Sequence, residues 1–257
     1  MHALQAGRAG EVWTVLGRRI ARPAAALVAS AHWETELPMV ATSKQPETIH
    51  DFGGFPAELY RIQYSAPGAP AIAQRALELL HGAGLPASAN GCRGLDHGAW
   101  VPLRRLFPAA DIPVAQISIQ PSLDADHHLR VGAALAPLAS EGVLVLGSGH
   151  MTHNLHEWIV DARRRGAMTI DEREPVPYVN EFRDWVDNAL RSNDRAALAR
   201  WQQEAPHAAR AHPTPEHFLP LMVAFGAAGP QPMVEHLDAG VDSGVLAMDA
   251  YLFWPRP

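Results

Sequence analysis

The stretch "GSGHMTHNL" (147–155) crowds two histidines, a threonine and an asparagine directly behind the apolar run "VLVL" (143–146). A strand that ends in such a loop sets ligating and hydrogen-bonding groups at the rim of a core. In open α/β sheets, ligands sit beyond the carboxyl ends of the strands, and that rule is selective among the 14 histidines of the chain. His32 ends the run "AAALVASAH" (24–32), His150 and His153 follow "VLVL", His97 lies upstream of "IPVAQISI" (112–119), and His217 sits in the Pro-rich turn "HPTPEHFLP" (212–220). His127, His128, His156 and His207 fall in polar helical contexts and are expected to be solvated.

A cluster of neutral imidazoles at a strand-end cleft suits zinc or iron. Neither an H-E-x-x-H helix nor a Cys/His ribbon is present, so any metal site is assembled from distant segments. By position alone His32 is equally readable as a ligand or as a hydrogen-bonded core histidine beside Trp33. Two other readings of the stretch fall short. Thr152 stands where a dinucleotide loop needs its third glycine, and Ser148 lies directly between Gly147 and Gly149 rather than in G-x-S-x-G.

The elements that must hold these residues follow from periodicity. Glu11 to Ile20 reads as an amphipathic helix, "AIAQRALELLHGAG" as a helix with a glycine stop, and "DADHHLRVGAALAPLASEG" as a helix opened by an Asp cap. Three apolar runs, at 24–32, 112–119 and 143–149, have the length of buried strands. Residues 33–69 carry loop signals throughout, and a long irregular connection inside a compact domain is more often functional than idle. Beyond residue 156 the sequence turns helical and closes with the strand-like "SGVLAMDAYLFW". The expectation is one α/β domain over residues 1–257, with a mostly parallel central sheet, helices on both faces and a C-terminal helical insertion.

Composition bounds the function. Lys and Arg number 21 against 27 Asp and Glu, and the net charge of −6 argues against nucleic acid as a partner. No apolar run approaches the ~20 residues of a membrane span, and the N-terminus has no signal-peptide layout. Cys92 is the single cysteine, which removes a disulfide framework and favours a cytoplasmic setting.

The runs "SAHW" (30–33), "TIHDFGGFP" (48–56), "YSAPGAP" (64–70), "LDHGAWVPLRRLFPAADIPVAQISI" (95–119), "GSGHMTHNL" and "PTPEHFLPL" (213–221) together resemble the DOPA-4,5-dioxygenase-type branch of the class III extradiol ring-cleavage dioxygenases. They occur in the family's order and reach past residue 220; the stretch from 156 to 212 matches loosely. The resemblance implies an enzyme that opens a catechol ring with O₂ at Fe(II) or Zn(II), taking a small catechol and O₂ as partners. Carried over by motif, His32 and His217 are the metal ligands, and His153 is the acid/base beside the metal. His97 becomes a catalytic or substrate-contacting group, and His50, Phe52 and Phe55 line the substrate side. For both phenylalanines plain core packing is an equal reading. His150 is not required by the family pattern and is expected to be silent. Thr152 and Asn154 are expected to secure the loop.

One departure matters. The family has a strand ending in His-Gly-Ser-Pro before its first helix, which supplies a third metal ligand. That strand is absent upstream of "MHALQAG", His2 lies on the wrong side of the turn to replace it, and "AAALVASAH" reads as its neighbour in the sheet. Two other functions stay open on this reading: a zinc hydrolase using the same histidines around an activated water, and an inactive relative that binds an aromatic ligand.

Overall fold

Leu27 and Val28 are neighbours in the chain, yet they feed two different cores. Ala25, Leu27 and Ala29 pack with Ala73, Leu80, Val131, Leu135 and Val223, whereas Ala26 and Val28 pack with Leu16, Ala99, Trp100 and Leu103. Side chains alternate across a strand, so an all-apolar strand is covered on both sides. The computed structural model describes residues 2–167 and 169–255.

The first part of the chain runs α1 (Gly7–Arg19), β1 (Ala25–Glu34), β2 (Met39–Ala41), α2 (Pro70–Gly82), β3 (Ser88–Asn90), α3 (His97–Leu106), β4 (Val114–Ile119), α4 (Ala125–Leu135), α5 (Pro137–Ser140) and β5 (Val143–Ser148). A helical stretch follows with α6 (Leu155–Arg165), α7 (Pro177–Arg191), α8 (Arg195–Ala199), α9 (Trp201–Glu204), α10 (Ala208–Ala211) and α11 (Leu219–Ala227). Strands β6 (Pro232–Leu237), β7 (Val241–Asp242), β8 (Leu246–Ala247) and β9 (Ala250–Pro255) complete the described residues. The central sheet has the order β3-β2-β4-β1-β5 and is parallel except where β2 meets β4. Helices α2, α4 and α11 cover one face, and α1 and α3 the other. Phe182, Trp201, Phe218 and Phe225 anchor the helical insertion in a further core that it shares with Ile119 of β4 and Leu129 of α4.

The single α/β domain matches the reading from sequence, with four corrections. Strand β1 does not stop at His32 but continues to Glu34, and its register with β4 breaks between Ala29 and Glu34. Such irregularities re-aim side chains, and His32 lies inside this one. Second, β1 has no vacant edge: β4 pairs with it on one side and β5 on the other. On that side of the sheet the edge strand is β5, and β3 is the edge at the other end. Every residue of β4 is buried, but β5 is only half-buried after Val143. A groove of about 540 Å³ separates β5 from β9, walled by Trp13 and Leu16 of α1, by Ile20 just beyond it, and by Leu221 and Ala224 of α11. Third, β2, β3 and β6 were not anticipated, because two of them are three residues long and β6 carries Glu235 and His236.

Fourth, His127 and His128 are buried rather than solvated. Both turn toward Gln120. The Gln120 N–H donates to His128 Nε2 (3.1 Å), so His128 Nδ1–H donates to the Asp124 carbonyl (2.8 Å), and His127 Nε2 lies 3.1 Å from Gln120 Oε1. His212 is also buried, its Nε2–H donating to the Met151 carbonyl at 2.9 Å. Burial pushes His128 and His212 down to about 4. Both are therefore neutral in the fold and take up protons on unfolding below their ordinary pKa of about 6.5. Stability is expected to be level above pH 6.5 and to fall as the pH drops from 6.5 towards 4. A melting temperature that stays constant down to pH 4.5 would contradict this.

Helices α4 and α11 meet through glycine. A Cβ on Gly132 would stand 2.2 Å from the Val223 carbonyl, and one on Gly226 would stand 2.4 Å from the Leu129 carbonyl. This contact fixes α11, and with it the turn that carries His217.

Candidate active site

Each histidine of interest is held by its backbone as well as by its neighbours. The His32 N–H donates to Ser30 Oγ (3.2 Å), and its carbonyl accepts from Arg93 (3.1 Å). Ser30 Oγ in turn donates to Asp96 Oδ1 at 2.6 Å, while Arg93 and Gln116 donate to Asp96 Oδ2 at 2.6 and 2.8 Å. Fully buried Asp96 also caps α3, accepting from the Ala99 N–H. One carboxylate thus orients the segment of His32 and begins the helix whose first residue is His97.

Asp51 bridges the same pair. The His97 N–H and Nδ1 lie 3.0 and 2.9 Å from Asp51 Oδ1, and His32 Nδ1 lies 3.7 Å from Asp51 Oδ2. Partial desolvation raises the Asp51 carboxyl, but its hydrogen bonds with His97 outweigh this and hold it at about 2. An ionised carboxylate only accepts, so Nδ1 of His97 carries the proton.

The same logic applies to His217, whose Nδ1 lies 2.9 Å from Glu216 Oε1. Burial raises Glu216, yet hydrogen bonds from His217, its own backbone and Thr214 hold it at about 2. His217 Nδ1–H therefore donates, and the Nε2 lone pair is free to ligate. A carboxylate behind the ring is the usual support for a metal-binding histidine.

The loop after β5 is tied down as expected. Thr152 Oγ1 donates to the Val245 carbonyl and accepts from the Ala247 N–H (2.7 and 2.8 Å). Asn154 caps α6 and donates to the Arg210 carbonyl (2.9 Å). The His153 N–H donates to the Ala211 carbonyl (2.7 Å) and the His150 N–H to the His217 carbonyl (2.9 Å). Gly149 permits that approach, since a Cβ there would stand 2.1 Å from the same His217 carbonyl.

The rings form a continuous row. Centroids lie 3.9 Å apart for His97 and His32, 4.9 Å for His32 and His217, and 3.4 Å for His217 and His153. Two sets of donor atoms, His32–Asp51–His97 and His150–His153–His217, each lie within 4.8 Å of one another. Angles separate the possible roles. An imidazole lone pair lies in its ring plane. His32 meets His217 at 80°, so their lone pairs can point to one ion; His153 stacks on His217 at 16°, and lone pairs in parallel planes do not meet. Burial, helped by His97 and His217, pushes His32 down to about 4, and burial with His217 pushes His153 to about 2. Both are neutral at pH 7, the form that ligates a metal or accepts a proton.

The structure thus brings together His32, His97, His153 and His217. Phe52 stands at their margin, its ring 5.4 Å from His97, and Phe55 is one ring removed, 5.7 Å from Phe52. His50 stands outside both donor sets, its Nε2–H donating to the Ile62 carbonyl (2.9 Å) with Phe52 and Trp100 around it. His2 belongs to neither set and lies 3.2 Å from the Ala6 carbonyl. The motif reading passed over Asp51 and Glu216, each adjacent to a quoted histidine, and set aside His150, which joins the second set.

Known proteins resemble the chain along most of its length. Residues 9–248 match the family model of the catalytic LigB subunit of aromatic ring-opening dioxygenase. The chain is 43 % identical over 233 residues to the 4,5-DOPA dioxygenase extradiol of Beta vulgaris, covering 90 % of this chain and 83 % of that protein. It is 37 % identical over 241 residues to the 4,5-DOPA dioxygenase extradiol of Escherichia coli K12, covering 92 % and 84 %. A crystal structure of an uncharacterized protein from Escherichia coli K12 superposes with a TM-score of 0.74 at 32 % identity, covering 94 % of this chain and 91 % of that one. With the histidine row at the sheet's rim and these matches along nearly its whole length, the chain belongs to the LigB-type, class III extradiol family of aromatic ring-opening dioxygenases.

Proposed function

We propose that residues 1–257 act as one catalytic domain that opens a catechol of the DOPA type, with Fe(II) as the working metal held by His32 and His217. The observation that carries this reading is the convergence of those two rings, 185 positions apart in the chain, at 4.9 Å and 80°. When bound, Fe(II) offers open positions to both catechol oxygens and to O₂, together with redox chemistry that Zn(II) lacks. The metal fits the donor set: imidazoles, one of them backed by Glu216.

The protein's own groups handle protons and shape. His153, neutral and stacked beside His217, accepts the proton of a catechol hydroxyl and returns it to the oxygen that later gathers charge. His97, with Nδ1 committed to Asp51, presents Nε2 toward substrate. Phe52 supplies an apolar edge beside His97, while Phe55 and His50 support the loop around it. Among the described residues no helix is long and apolar enough to cross a membrane. The single exposed, unbridged Cys92 is compatible with a cytoplasmic setting.

Oxygen uptake with L-DOPA and with unsubstituted catechol, in the Fe(II)-loaded protein, tests the reading. The expected result is stoichiometric O₂ consumption with a yellow ring-opened product. Anaerobic cleavage of an ester or amide by the Zn(II) form, without oxygen uptake, would instead establish a hydrolase.

A further inference from the structure

His150 stands beside the histidine row, its ring 5.5 Å from His217 and 4.9 Å from His153. Its backbone is fixed, donating to the His217 carbonyl at 2.9 Å. Its Nδ1 is buried and has no hydrogen-bond partner among the described residues. Buried polar atoms are nearly always paired, so such an atom in a functional cleft calls for an explanation. His212 Nδ1 is also unpaired, but that ring is packed among Phe182, Trp201 and Phe218. His150 instead shares with His153 and His217 a set of donor atoms that lie within 4.8 Å of one another, and His217 in turn meets the ring of His32 at 4.9 Å.

Ring planes distinguish the members of that set. His150 meets His217 at 57°, so their in-plane lone pairs can cross, unlike those of stacked His153. The two residues are also bonded through their backbones, so a shared ion would sit between groups already held in register. No competing carboxylate or carbonyl occupies Nδ1. We propose that His150 is a third imidazole ligand of the metal held by His32 and His217. This rests on the metal centre proposed above and adds a ligand from a position that the family motif leaves free.

Metal binding tests it without recourse to turnover. The metal-free full chain, its histidines labelled with ¹⁵N, is titrated with Zn(II). One equivalent should shift the ring nitrogens of His32, His150 and His217 together. In a parallel competition titration, His150→Gln should lose at least the roughly 10–100-fold in Zn(II) affinity that removal of a supporting partner alone costs. A His150 ring signal that does not move with zinc overturns the proposal, whether or not the variant folds. If His150→Gln binds as the parent does while His217→Gln does not, His150 is not a ligand and the centre stands. If neither substitution changes affinity, the metal centre itself is wrongly placed.

Discussion

His153→Ala is expected to retain most of its metal and to lose roughly 10²–10⁴-fold in ring cleavage, the usual contribution of a positioned acid/base. The reason is geometric. His153 stacks at 16° on His217, which keeps its lone pair off any ion that His217 would bind, yet places its ring 3.4 Å from that of the proposed ligand. Burial holds His153 neutral in the metal-free protein, the form with a lone pair free to take a proton. Metal content by mass spectrometry and kcat by oxygen electrode give the two readings. Loss of metal in step with activity would make His153 a ligand and exchange its role with that of His150.

Gly149→Ala should damage the centre without removing a single functional group. The added methyl would lie 2.1 Å from the His217 carbonyl, which is backbone and has no rotamer with which to retreat. Overpacking of this kind costs about 1–3 kcal/mol or more, and here the strain falls on the bond that couples the His150 N–H to His217. The expected outcome is a lower melting temperature and a loss of most metal affinity. Gly82→Ala is the control: its Cβ would meet nothing within 4 Å at the end of α2, so stability there should hold or rise slightly. Equal metal binding in Gly149→Ala and Gly82→Ala would show that the loop adjusts freely.

What was legible in the sequence had length or pattern. β1, β4 and β5 read as strands because each is a continuous apolar run, and α2 and α4 read as helices because their apolar spacing and caps agree. β2 and β3 were too short for any period to show. The site followed the same division. His32, His97, His153 and His217 stand in motifs that survive as strings, so their residue types pointed to metal chemistry before any contact was visible. Asp51 acts only in relation to His97, a ring that the fold brings to it from 46 positions away, and nothing in a string records that relation; Glu216 stands next to His217 in the string, but adjacency does not say that its carboxylate turns back onto the ring. His127 and His128 misled for the converse reason: a polar neighbourhood in sequence became a buried network once Gln120 folded over them.

The open edge of β5 has a signature in time as well as in space. A parallel strand presents its amides alternately to left and right. β1 lies between β4 and β5, so the amides of Ala26 to Ala29 should exchange with deuterium as one slow block, released only when the sheet itself opens. β5 bonds to β1 on one side and faces the groove on the other. Fast and slow amides should therefore interleave residue by residue from Val143 to Ser148, a comb-like pattern rather than a gradient. Any extended segment that settled in the groove and paired with that edge would slow the fast teeth of the comb and leave the slow ones untouched.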